Sequence, residues 1–175
     1  MPDARVAASV RQLVERDPRP VVLIDGGAGS GKTTLAQQLV ATWPGPSGVQ
    51  LVSLDDLYPG WDGLALASAS VPELIVGNGY HSWDWAGDRP GPWRELDPAR
   101  ALIVEGCGAI TAGSAALAGL RVWLELDAGE RQRRAIARDG ADFAAHWNDW
   151  AAQESVHWHA DHPRDLADLV VVPGD

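Results

Sequence analysis

An apolar run, a glycine-rich turn and a helical pattern follow one another from Val21 to Val40, VVLIDGGAGSGKTTLAQQLV. Within it Gly26, Gly31, Lys32 and Thr33 satisfy G-x-x-x-x-G-K-[ST], the spacing of a phosphate-binding loop. The context matches the motif. Val21 to Ile24 has the branched aliphatic character of a buried parallel strand. Thr34, Leu35, Leu39 and Val40 then recur at roughly helical spacing. Glycines let the backbone curl until successive N–H groups point at anionic oxygens, and the following helix adds its positive N-terminal end. The candidate phosphate ligands are therefore Gly27, Ala28, Gly29, Ser30, Gly31, Lys32, Thr33 and Thr34. Lys32 is the only lysine among 14 basic residues. A chain that otherwise uses arginine has a compact ammonium where one is wanted among phosphates.

At 175 residues the chain is expected to form a single domain with a substantial core. Its net charge of −10 argues against nucleic acid or an anionic membrane as partner, since phosphates would be repelled. A small anionic substrate in a local basic pocket stays compatible with it. The lone Cys107 excludes an internal disulfide and fits a reducing cytoplasm. No apolar run reaches membrane-span length, and MPDARVAASVRQLVER lacks the apolar block of a signal peptide. A soluble cytoplasmic protein is the expectation, and a homo-oligomer is left open.

Apolar periodicity predicts a helix over Ala4 to Arg16, then strands at Val21 to Ile24, Val49 to Leu54, Ala101 to Val104, Leu120 to Leu126 and Leu169 to Val172. Further helices are predicted after the glycine turn, at Thr111 to Ala118, and from an Asp127 cap through to about His159. Residues 59–98, rich in Gly, Pro and Trp, read mostly as loop, with some helix around Pro72 to Val76. Strands alternating with helices imply a parallel sheet between two helical layers, with ligands at the carboxyl ends of the strands. Asp25, Asp55 and Glu105 all fall at such ends.

A phosphate loop alone says nucleotide, not reaction. Asp55, after the second strand, can orient an acceptor hydroxyl, accept its proton and sit near Mg²⁺; the competing reading is a strand-end turn carboxylate. Glu105 closes ALIVEG, where a carboxylate can serve Mg²⁺ together with Thr33; the competing reading is a salt bridge. Arg131, Arg134 and Arg138 share a helix face by spacing. Such a helix can act as a lid over a transferring phosphoryl group, or be a solvated face of an acidic protein. Trp83 and Trp85 either stack a ligand or pack, and Asp84 is a candidate hydroxyl anchor.

The phosphate loop, Asp55 and Tyr58 as Asp-x-x-Tyr, Glu105-Gly106, RRAIARD (Arg133 to Asp139) and ADLVVVPG (Ala167 to Gly174) together resemble the uridine kinase family of P-loop kinases. The resemblance runs in order along most of the chain, and its one individually specific motif is the phosphate loop. It implies a three-layer α/β/α P-loop fold with an arginine-bearing lid, and ATP and Mg²⁺ as cofactors. By resemblance Asp55 is the catalytic base, Glu105 a Mg²⁺ partner, and Tyr58 a border of the acceptor site. The catalytic set it suggests is Lys32, Asp55, Arg134 and Arg138, the metal set Thr33, Glu105 and Asp55, and the substrate set Tyr58, Trp83 and Asp84. The chain departs from the family in being shorter and in having Gly140 to Phe143 where a second arginine group is expected. Tyr80 to Trp85 also differs from the family's nucleoside pocket. The acceptor implied is a small hydroxyl compound, nucleoside-like; pantothenate, a sugar or an antibiotic are the alternatives.

Rival readings differ in what they require. A GTPase base-reading motif N/T-K-x-D is impossible with the one lysine already in the loop, and LSGGQ of an ABC-type ATPase is absent. A non-catalytic ATP-binding sensor of the same fold stays open. The stripe Phe143, Trp147, Trp150, Glu154, Trp158 reads as core. His157, His159 and His162 with Asp161 do not have the spacing for a four-ligand metal centre. Cys107 reads as a small packed residue.

Overall fold

The structure, a computed structural model, describes residues 1–173, so Gly174 of the ADLVVVPG stretch lies outside the described residues. Helix α1 (Ala4–Arg16) is capped by Asp3, whose side chain accepts from the Arg5 and Val6 amides. Strand β1 (Val21–Gly26) leads through the glycine turn into α2 (Lys32–Ala41). Strand β2 (Val49–Ser53) ends in a single 3₁₀ turn, Leu54–Asp56. After α3 (Leu64–Val76), a hairpin of β3 (Gly79–Asp84) and β4 (Arg89–Glu95) precedes β5 (Ala101–Glu105). One turn of helix, α4 (Ala112–Ala115), and β6 (Leu120–Leu124) follow. Asp127 caps α5 (Ala128–Asp161) by accepting from the Gly129 and Glu130 amides. A short α6 (Pro163–Leu166) delivers the chain to β7 (Leu169–Val171).

The five sheet strands run in the order β2-β5-β1-β6-β7, every neighbouring pair parallel. β1 is central and buried along its whole length. Its side chains alternate: Val21 and Leu23 join a core with α3 and α5, while Val22 and Ile24 join one with α1 and α2. Each such fully buried aliphatic contributes roughly 1.5–3 kcal/mol, which is why both faces need a helical layer. The result is the three-layer α/β/α arrangement expected from the sequence.

Residues 59–98 correct the sequence reading. They hold a full helix and a two-stranded antiparallel hairpin. The buried positions of α3, Leu64, Ala67, Ser68, Val71, Leu74 and Ile75, follow helical spacing. Pro72 within the helix masked this pattern, because proline ordinarily ends a helix. The predicted helix over Thr111 to Ala118 shrinks to one turn, held by a Thr111–Ser114 capping box. The continuous lid helix is interrupted at Gly140, whose backbone (φ 76, ψ −153) is non-helical.

Candidate functional site

The glycine turn closes on α2 at Gly31, which takes a left-handed φ of 95. A Cβ built there meets no atom within 4 Å, so the loop bends around open space at that point. Lys32, 7% exposed, donates from Nζ to the Gly27 carbonyl at 2.9 Å and lies 3.4 Å from Cys107 Sγ. Burial disfavours the ammonium, but the carboxylates of Glu105, Glu154 and Asp25 act against it, and Lys32 lies above the usual lysine range. Ser30 Oγ is buried with no hydrogen-bond partner inside the same turn.

Two carboxylates reach this loop from the neighbouring strand ends. Thr33 Oγ1 donates to Glu105 Oε1 at 3.1 Å. Glu105, 1% exposed, is opposite Ser53 in the β2–β5 register. Burial raises its carboxyl, with Lys32, Ser53 and Thr33 pulling it back. Asp55, on the 3₁₀ turn, is reached by water through the cavity mouth yet enclosed by the cavity walls. That desolvation raises its carboxyl, against the pull of Lys32 and Arg138.

A cavity of about 540 Å³ lies over these groups, with Gly29, Gly31, Lys32 and Thr33 at one side. Asp55 and Glu105 line it next, then Tyr58, Trp61, Trp85, Phe143 and Trp150. Arg138, Asp139 and Asp142 complete the wall from both sides of Gly140. Of the sequence-derived candidates, Ala28, Gly29, Gly31, Lys32, Thr33, Asp55, Tyr58, Glu105 and Arg138 are thus brought to one place.

Others sit elsewhere. Arg134 pairs with Glu130 at 2.6 Å and is not among the lining residues. Arg131, grouped with the lid by spacing, is 6% exposed and packed into the protein. Trp83 and Asp84 lie on the hairpin away from the cavity lining; Asp84 holds Arg89 at 3.2 Å and the Gly87 amide at 3.0 Å. Trp85, one residue on, lines the cavity, its indole donating to the Asp55 carbonyl at 2.9 Å.

Two buried networks behind the loop were not singled out from sequence. Glu154 Oε1 accepts the Ala28 amide at 2.6 Å, and its Oε2 pairs with Arg131 at 3.2 Å. Arg131 also donates to the Ala28 carbonyl at 3.2 Å and lies over the rings of Trp147 and Trp158. A Cβ at Gly27 would come within 2.1 Å of the Arg131 guanidinium, and one at Gly29 within 2.1 Å of its carbonyl. These glycines therefore serve close approach by α5. Asp25 forms the second network. It accepts from the Gly26, Gly108 and Ile110 amides at 2.6, 3.1 and 2.9 Å, and meets His157 Nε2 at 3.4 Å. A glutamate within an aromatic stripe was the one available hint, since a carboxylate there needs a buried partner.

Among the described residues, no group of three or more His, Cys, Asp and Glu forms a metal site. His157 engages Asp25 and Asp161, whereas His159 turns to the Ser155 carbonyl at 2.7 Å. The Thr33 hydroxyl beside the Glu105 carboxylate is a donor set that suits Mg²⁺, which takes few protein ligands when phosphates supply the rest. Burial pushes the Cys107 thiol far up, so it is a neutral packed group.

No family model matches the sequence, and no curated protein is detectably similar to it. Among solved structures, the chain is similar to a possible uridine kinase from Bacillus stearothermophilus, with a TM-score of 0.61 at 18% identity over 95% of this chain and 98% of that one. It is similar to a candidate fructose transport system kinase from Silicibacter sp. TM1040, with a TM-score of 0.56 at 20% identity over 95% and 98% of the two chains. A gluconokinase from Sinorhizobium meliloti 1021 aligns with a TM-score of 0.53 at 15% identity over 89% of this chain and 82% of its own. At such identities the likeness concerns the fold. The parallel sheet, the phosphate loop and these neighbours agree: the chain has the fold of the P-loop kinases.

Proposed function

We propose that the protein is an ATP- and Mg²⁺-dependent kinase that moves the γ-phosphate to a hydroxyl of a small molecule. The observation that carries this reading is the shared cavity, in which the phosphate loop and its metal-side pair Thr33 and Glu105 face Asp55 and an open, aromatic-lined space. A nucleotide switch needs no second compartment of that kind.

In this reading Lys32 and the loop amides bind the β- and γ-phosphates, and Thr33, Glu105 and the nearby Asp55 hold the metal side. Mg²⁺, when bound, neutralises charge developing between the phosphates. Asp55 orients the acceptor hydroxyl and takes its proton as the oxygen attacks; the leaving oxygen stays with ADP. Arg138 offers positive charge beside the transferring group, and Arg134 reaches it only if α5 shifts. Tyr58 and its neighbouring rings offer the acceptor an apolar wall. Uridine and cytidine are the acceptors that the family resemblance implies, so they are the first to test.

The test is ADP release from Mg·ATP by the purified protein across nucleosides, vitamins and sugars. Acceptor-dependent release supports the kinase, and uridine or cytidine as stimulant supports the nucleoside. ATP binding without stimulation by any hydroxyl compound moves the reading to a non-catalytic sensor.

A further inference from the structure

The acceptor side of the cavity has a lopsided chemistry. Its rings brace one another: Trp61 stacks on His146 at 4.2 Å and meets Trp85 at 5.2 Å and Phe143 at 5.7 Å, while Tyr58 meets Trp150 at 4.7 Å. Interlocked rings make a preformed apolar wall. Their polar handles are partly engaged already. The Tyr58 hydroxyl donates to the Cys107 carbonyl at 2.8 Å, and the Trp85 indole donates to the Asp55 carbonyl. Among the described residues the indoles of Trp61 and Trp150, which also line the cavity, donate to no other group.

Against them stand Asp55, Asp139 and Asp142. Ionised carboxylates accept hydrogen bonds and never donate. Arg138 is held by Asp139 through bonds of 2.8 and 2.6 Å, and Lys32 is turned to the Gly27 carbonyl. Among the described residues no cation pairs with Asp142. A ligand resting here must therefore supply donors and positive charge along with an apolar body. Aromatic walls favour the same choice, because ring faces attract cations. An acceptor bearing carboxylate or phosphate meets repulsion from this wall. A nucleobase or polyol brings acceptors of its own, for which the wall has few donors.

We propose that the phosphate acceptor is an amino alcohol: a hydroxyl compound carrying an ammonium group on an apolar or aromatic skeleton, the rings holding the skeleton and Asp142 the ammonium. The role of the hydroxyl rests on the kinase reading, whereas the charge preference belongs to the cavity and is measurable by binding alone. The net charge of −10 draws such a cation toward the protein.

The test uses one skeleton in three charge states: phenylalaninol, 3-phenyl-1-propanol and 3-phenyllactate. Binding to the full chain is followed by tryptophan fluorescence, and turnover separately by ADP release from Mg·ATP. Phenylalaninol is expected to bind about tenfold tighter than the neutral alcohol, with phenyllactate weakest. Asp142→Asn should remove most of that preference while leaving the neutral alcohol's affinity in place. Equal or tighter binding of the neutral or anionic compound, or no saturable response to phenylalaninol, overturns the inference. Selective amine binding with no ADP release from any compound keeps the inference and overturns the kinase. ADP release driven by neutral or anionic acceptors in preference to amines does the reverse.

Discussion

Desolvation by the cavity walls disfavours the charged form of Asp55, Lys32 and Arg138 favour it, and the net displacement is upward. A raised carboxyl binds its proton more tightly in the folded chain than in the unfolded one. Its contribution to stability is thus complete at acid pH and lost as pH rises through the folded pKa. At neutral pH the ionised Asp55 is a cost that the proposed reaction uses as a base. Asp55→Asn should therefore cut phosphoryl transfer by about 10²–10⁴-fold while keeping ATP binding. It should also raise the melting temperature slightly at pH 7, a gain that vanishes at acid pH. Near wild-type transfer in that variant would remove Asp55 from the role of base. His157 titrates with the opposite chemistry. Burial works against its charge, but contact with Asp25 and Asp161 prevails and raises it. Stability from the protonated ring is fully present below the ordinary histidine range and lost as pH rises through the folded pKa. Chemical denaturation of wild type between pH 6 and pH 9 should show a loss that His157→Gln does not share; equal slopes in the two proteins would remove His157 as the source. Lys32, Thr33, Asp55 and Glu105 were legible because loop spacing and strand ends place them. His157 and Glu154 were not, because their partners Asp25 and Ala28 lie 132 and 126 residues away in the chain.

At the scale of elements, legibility followed the strength of local pattern. β1 and α2 were readable from an apolar run, a glycine turn and helical spacing. The hairpin was hidden because β4 carries Pro90 and Pro92 and is mostly exposed, so no alternation marks it. The break in α5 was hidden for another reason: a glycine in a helical pattern is usually tolerated, and only the backbone reveals its conformation. Gly140 occupies a region of φ/ψ that is essentially reserved for glycine. A Cβ there meets nothing within 4 Å, so a substitution is penalised by backbone strain and not by crowding. Gly140→Ala is expected to cost about 1–3 kcal/mol in urea unfolding, or to straighten the helix and withdraw Arg138 from the cavity. Either way acceptor turnover should fall further than ATP affinity. Unchanged stability together with unchanged turnover would show that the break has no part in placing Arg138.

Across the whole molecule, the phosphate loop is not an autonomous turn. Both backbone groups of Ala28 are held by a buried ion pair whose members, Arg131 and Glu154, stand on opposite sides of the Gly140 break. The pair thus joins the two halves of α5 to each other and to the loop. Removing one member leaves a buried charge without its counterion, the costly case for such pairs; replacing both with apolar groups of similar size is often close to neutral. Glu154→Met and Arg131→Met are accordingly each expected to lose about 3–5 kcal/mol, and the double replacement by Met distinctly less than the sum of those two single changes. The functional consequence separates from the structural one. Without Glu154 the Ala28 amide is released, and without the Arg131 guanidinium the loop loses its hold on the Ala28 carbonyl and the surface against which Gly27 is packed. The double variant should fold and yet bind ATP more weakly than wild type, because the loop is no longer held in advance of the nucleotide. Denaturation curves and ATP titrations on the same three variants decide the matter. Additive stability losses would show that the charges do not act as a pair. Full ATP affinity in the folded double variant would show that the loop holds its shape without them.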